Sequence, residues 1–210
     1  MNALPPADAG TRLAAELPAL VELALARLLA APDAGPEPAP LRVPRSVRSA
    51  GAAALAARQG GGPAARTQAL ALYTRCLQHY RQDVQARLQP GLREDDAGLA
   101  AAFFTLANLA AFDGQSPDTG RLDAVERQFR RLLGACGAWT HCSTAERQSF
   151  VEQLAAVGVL VNESRLAAAT QGDAAQARLR DAARGYLVQL LGLAPERLAL
   201  GEHGLVLKAA

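Results

Sequence analysis

Three acids in succession, Glu94, Asp95 and Asp96, stand directly before a run, 97–112, that is almost free of polar groups. Neighbouring carboxylates suit general acid–base work when their surroundings drive their proton affinities apart, and they suit cation ligation. Acids at this position also have a plainer use. An Asp at a helix N-cap accepts backbone N–H groups, and acids in the first turn complement the helix dipole. "REDDAG" before an apolar run reads as such a cap. Asn108 is the harder residue to account for. It lies deep in the same apolar run, where a buried amide must find partners.

A second constellation is "CGAWTHC", 136–142, with two thiols and one imidazole within seven residues. Zinc would need a fourth ligand, and the chain names none. A nucleophilic Cys142 would need a base, and His141, its neighbour on the chain, is badly placed to face it. Cys136 and Cys142 bracket a helix–helix connection and either bridge or pack as small hydrophobes; with Cys76 they make an odd number, a poor disulfide framework. Trp139, the only tryptophan, reads as an interaction anchor or as a plug for the end of a bundle. Other chemistry is missing. His79, His141 and His203 are scattered, and there is no HExxH, no paired CxxC and no Glu-x-x-His. "QGGGP", 59–63, lacks the lysine and hydroxyl of a P-loop, and no GxSxG elbow is present. No catalytic residue, cofactor or metal ligand is therefore expected. Asp95, Asp96, Asn108, Trp139 and His141 stand as structural or interaction residues. The alternative is an enzyme or small-ligand binder whose site forms near Asp95, Asp96, Asn108 and His141, joined by Glu94 and Trp139.

The elements that must position these residues follow from composition and periodicity. The chain has 210 residues, 50% hydrophobic but only 4% aromatic. Its apolar content is mainly Ala and Leu, strong helix formers, which predicts an all-α fold. Net charge is +2, from 22 basic and 20 acidic residues, which gives no reason to expect nucleic acid as a partner. Arg121, Arg127, Arg130, Arg131 and Arg147, with Asp123 and Glu126 interspersed, read as a solvated face, with Arg127, Arg130 and Arg131 outward. No run is long enough to span a bilayer. No basic, apolar leader is visible either, so a cytoplasmic location is expected for a complete chain and an exported one if a leader has been removed.

Residues 1–45 read as a Pro- and Ala-rich arm, partly disordered, with one possible short helix at about 18–31; "APDAGPEPAPLRVP" is its extended part. Residues 46–210 read as a bundle. A marginal helix covers 44–59, and "GGGP" breaks it. Leu70, Tyr73, Leu77, Tyr80, Val84 and Leu88 mark one helical stripe, and Leu122, Val125, Phe129, Leu132 and Cys136 another. Between them 97–112, apolar nearly all round, is expected at the centre of the bundle. Ser143 with Glu146 makes a capping box for a helix buried through Phe150, Leu154, Val157 and Val161. Asp173 opens a last helix carrying Leu179, Ala183, Tyr186 and Leu190. In the tail Pro195 starts one helical turn, and "LVL" lies extended against the bundle. The expectation is a single bundle of about five to seven helices.

"LQPGLREDDAGLAAAFFTLANLAAFDG" resembles the central signature of a family of bacterial, typically proteobacterial, proteins of unknown function. Gly91, Leu92, Asp95, Asp96, Phe104, Asn108 and Gly114 match that signature, and "TAERQSFVEQLA" resembles a later segment. The resemblance covers roughly 42–207. It departs at Leu109, where the family pattern has a large aromatic. It implies a helical domain and an envelope location, and it implies no activity. Together these readings lead to a non-enzymatic helical domain that works by contact with a protein partner, an accessory, adaptor or immunity-type component of a bacterial secretion or envelope system.

Overall fold

In the computed structural model, residues 9–30, 38–44, 49–87 and 95–208 are described. They form eight α-helices and one short hairpin, so the fold is mostly all-α, as composition predicts. The helices are α1 (Ala9–Ala30), α2 (Ala50–Arg58), α3 (Pro63–Arg87), α4 (Ala97–Asp113), α5 (Leu122–Ala135), α6 (Gly137–His141), α7 (Thr144–Gln171) and α8 (Asp173–Leu191).

Helix α4 is the centre. Fourteen of its 17 residues are buried, and it packs against α5, α7 and α8. Its alanines let neighbouring helices approach closely, and Gly158 of α7 extends this logic. A Cβ on Gly158 would stand 2.8 Å from the Phe103 ring. Gly114 ends α4 in the left-handed conformation, φ 70°, which glycine adopts without a steric penalty. Helix α5 buries Val125, Phe129, Leu132 and Leu133 against this centre. In α3 the predicted stripe holds at Tyr73, Leu77 and Tyr80, whereas Leu70 is exposed. Val84 lies outside the side chains described, and Leu88 outside the described residues. The Ser143–Glu146 capping box starts α7 with both reciprocal bonds formed.

Three elements differ from the pattern-based expectation. The helix expected at 18–31 begins at Ala9, and it belongs to the core. Leu17, Val21 and Leu25 are buried in the same cluster as Leu187 and Leu191 of α8. Pro18 is inside this helix, and its ring meets Gly192, the left-handed C-cap of α8, where a Cβ would come within 2.3 Å. Helix α2 starts at Ala50 behind the N-cap Ser49, six residues later than expected. The tail forms an antiparallel hairpin, β1 (Leu198–Gly201) with β2 (Gly204–Leu207), after one helical turn at Pro195–Arg197. The proline-rich stretch 31–37 lies outside the described residues.

Candidate functional site

Asp96 is the N-cap of α4, fully buried. Its Oδ1 accepts the N–H groups of Gly98 (2.8 Å) and Leu99 (3.3 Å). Its Oδ2 accepts the N–H of Leu41 (2.8 Å). Main-chain bonds from Val43 N–H to Asp95 O and from Ala97 N–H to Leu41 O fasten the 38–44 segment antiparallel to the start of α4. The cap therefore also docks a distant strand-like segment. Glu94 lies outside the described residues.

Asp96 also has a cation, and its identity corrects the expectation of an outward arginine face. Arg130 is 7% exposed; its Nε lies 3.2 Å from Asp96 Oδ2 and pairs with Glu126, four residues earlier on α5. Gly98 makes room for this arm, since a Cβ there would be 2.7 Å from Arg130 Cγ. The physical reason is demand for charge: two buried carboxylates, Asp96 and Glu126, require a cation between α4 and α5. Arg131, one position on, remains exposed.

A third buried carboxylate, Glu152 of α7, ties α2 and α3 to α7. It accepts the Ser49 hydroxyl (3.0 Å) and the Gly51 N–H (2.8 Å) at Oε2, and Gln148 Nε2 (3.1 Å) and Arg81 Nη2 (3.4 Å) at Oε1. Between the two clusters lies a hollow of only about 30 Å³, lined by Tyr80, Arg81, Asp95 and Glu152 among others. That volume suits about one water molecule and no organic substrate.

The remaining predicted residues lie elsewhere. Asn108 is fully buried; its Nδ2 donates to Phe104 O (2.8 Å) within its own helix, and its Oδ1 has no hydrogen-bond partner. Trp139 is buried in α6, edge-on to Phe150 and under the Arg147 guanidinium at 5.3 Å. Arg147 also donates to the Trp139 and Thr140 carbonyls. His141 is exposed, with Nδ1 against the Gly137 carbonyl at 2.7 Å. Glu16 of α1 accepts the Ala138 N–H (2.9 Å) and the Cys136 thiol (3.3 Å). Among four hollows formed by the described residues, of about 30, 160, 300 and 270 Å³, only the smallest is lined by any of the five predicted residues, and by Asp95 alone. Among the described residues, no group of three or more His, Cys, Asp or Glu is placed to hold a metal ion. Nor is any described helix long and apolar enough to cross a membrane.

The pattern reading missed Gln128, Glu152 and Arg130. Gln128 acts as a strand edge: its Oε1 accepts the Leu205 N–H (2.7 Å) and its Nε2 donates to the Leu205 carbonyl (2.9 Å), locking the hairpin onto α5. A signal for it existed. Val125, Gln128, Phe129 and Leu132 follow helical i, i+3, i+4, i+7 spacing, which puts the amide on the apolar face.

Cys76, Cys136 and Cys142 are buried thiols, and none forms a disulfide. Burial pushes the Cys76 and Cys136 thiols above their ordinary 9.0, with Glu163 adding to the effect at Cys76 and Glu16 at Cys136. Burial likewise raises the Tyr80 and Tyr186 phenols above 10.0. The folded state holds these groups neutral while the unfolded chain ionises them, so their contribution is complete below pH 9.0 and is lost as pH rises through the raised values. Urea midpoints are expected to fall steadily above pH 9, and native thiols to react with iodoacetamide far more slowly than unfolded ones.

Fold and site together define a helical bundle whose buried polar groups tie its elements to one another. The sequence pattern of a family of unknown function, DUF6683, matches residues 31–208, and the chain belongs to that family. No curated protein and no solved structure matches it.

Proposed function

We propose that the protein is a non-enzymatic helical module acting by contact with another protein, an accessory, adaptor or immunity-type component of a bacterial secretion or envelope system. We read its family as a proteobacterial one whose signature runs from Gly91 to Gly114 and takes in α4. The observation that carries the interaction reading is an apolar hollow of about 160 Å³ where α1, α2, α4, α7 and α8 meet. Phe104, Phe150, Tyr186 and Leu190 line it, and Arg58, Gln153 and Gln189 stand among its polar residues. Arg58 and Gln189 are exposed. An aromatic-lined hollow with a polar margin suits one apolar anchor side chain of a partner, because such anchors dominate interface energetics. Its size is close to that of a cavity that takes up a benzene ring. The carboxylates of Asp96 and Glu152 support the non-enzymatic part of the reading, since both oxygens of each are engaged by backbone N–H groups, side-chain donors or an arginine.

The test is comparative capture and cross-linking from a bacterial host, using the unaltered chain and the double variant Gln153→Arg with Gln189→Arg. The variant is expected to keep its thermal midpoint and to lose captured partner by roughly tenfold or more. Equal capture by both proteins would remove this hollow as the contact.

A further inference from the structure

A different hollow, of about 270 Å³, lies between α4, the turn that follows it and α7. Its apolar wall comes from Phe103, Leu106 and Leu122. Its polar side comes from Ser116, Thr119, Asn162 and Arg165. Among the described residues no carboxylate lines it, so its described lining carries one positive charge and no negative one. Nearby acids are engaged elsewhere: Asp118 caps Gly120 and faces Arg121, and Glu163 pairs with His79.

Arg165 is the informative residue. Its Nε is shielded from solvent and has no hydrogen-bond partner among the described residues. Among the described residues its Nη2 has only Asn162 Oδ1, at 3.5 Å, the outer limit of a hydrogen bond. A guanidinium stays charged at every working pH, and a desolvated donor without an acceptor is costly. The two terminal nitrogens of arginine form a planar fork that fits a carboxylate with two parallel bonds.

We propose that this hollow binds a small amphipathic carboxylate, its anionic end on Arg165 and its aromatic or branched apolar body against Phe103, Leu106 and Leu122. Ser116 and Thr119 supply hydroxyl donors to the same oxygens, and the Asn162 amide steadies the guanidinium. A single cation beside an apolar wall selects a monoanion with a hydrophobic body over inorganic phosphate. The site is separate from the partner-binding hollow and stands or falls without it.

The experiment is an amide NMR titration of the full chain with benzoate, with benzamide and inorganic phosphate as controls. Benzoate is expected to give saturable shifts confined to residues around 116–122 and 162–166, and the two controls to give none there. Arg165→Gln is expected to weaken benzoate by about tenfold or more, with Arg165→Lys intermediate because it keeps the charge and loses the fork. Thr119→Val, at an exposed position, gives a smaller loss and serves if Arg165→Gln does not fold. Scattered or absent shifts, benzamide binding as well as benzoate, or phosphate binding more tightly would each overturn the proposal.

Discussion

Replacing Arg130 with leucine is expected to cost about 3–5 kcal/mol of stability, read from urea denaturation at neutral pH, the range for breaking a buried ion pair from one side. Asp96 and Glu126 are 0% and 1% exposed, and Arg130 is the cation that the structure places against both. Without it two buried carboxylates lose the guanidinium that stands between them. Leucine fills the space of the stem and does nothing for the charge. Arg130→Lys should fall between, because an ammonium keeps the charge and loses the planar fork. Adding Glu126→Leu to Arg130→Leu should recover part of the loss, since one stranded carboxylate is then gone. Asp96 would still hold three backbone N–H groups. Arg131→Leu, at the exposed neighbouring position, is the control, and its effect should stay within about 0.5 kcal/mol. A loss of that small size for Arg130→Leu would show that the Asp96–Arg130–Glu126 cluster is not what joins α4 to α5.

The second large effect is expected from Glu152→Ala, about 3 kcal/mol, because it leaves a buried backbone N–H, a hydroxyl and an amide without their acceptor. Its consequence should be local first. Helix α2 has only nine residues and is held to α7 by Ser49 and Gly51 on Glu152. At Gly51 a Cβ would meet Glu152 Cβ at 2.4 Å, so the two helices touch through their backbones there. Loss of the carboxylate should free α2 before the rest of the bundle opens. Limited proteolysis is the readout, with cleavage rising sharply in the exposed 59–62 linker while α4 and α5 stay protected. The Arg81 contact adds little to the expected loss, because that guanidinium is 34% exposed and screened by solvent. A variant that loses stability with no change at this linker would place the role of Glu152 within α7 alone.

Both predictions concern residues whose roles pattern reading did not show. Glu126 and Arg130 look like an ordinary surface i, i+4 pair, and on an isolated helix they would be one. Only the arrival of Asp96 from another helix, and the absence of a side chain at Gly98, turn the arginine inward. Glu152 sits on the apolar face of α7, yet its four donors come from Ser49, Gly51, Arg81 and Gln148, up to 103 residues away. The cap at Asp96 was legible because capping is local: an acid immediately before an apolar helix has backbone donors within three residues. The capping box at Ser143 was legible for the same reason. The second duty of Asp96, holding Leu41, was not, since that partner is 55 residues upstream.

The candidate site was legible only in part. Asp95, Asp96 and Asn108 are where their elements would put them, whereas Trp139 and His141, expected in a helix–helix connection, belong to the short helix α6. Asp96 is a cap, Trp139 is packed against Phe150, Asn108 bonds within its own helix, and His141 faces solvent. Composition and short-range periodicity were enough for the all-α class, the central position of α4, the buried stripes of α3, α5, α7 and α8, and the local caps, because each depends on contacts within a turn or two of helix. The inclusion of α1 in the core, the inward arginine, the Gln128 clasp on the hairpin and the two ligand-sized hollows came only with the tertiary structure. Each of these is an arrangement of groups far apart along the chain, and its energy depends on burial and charge that no short stretch of residues contains.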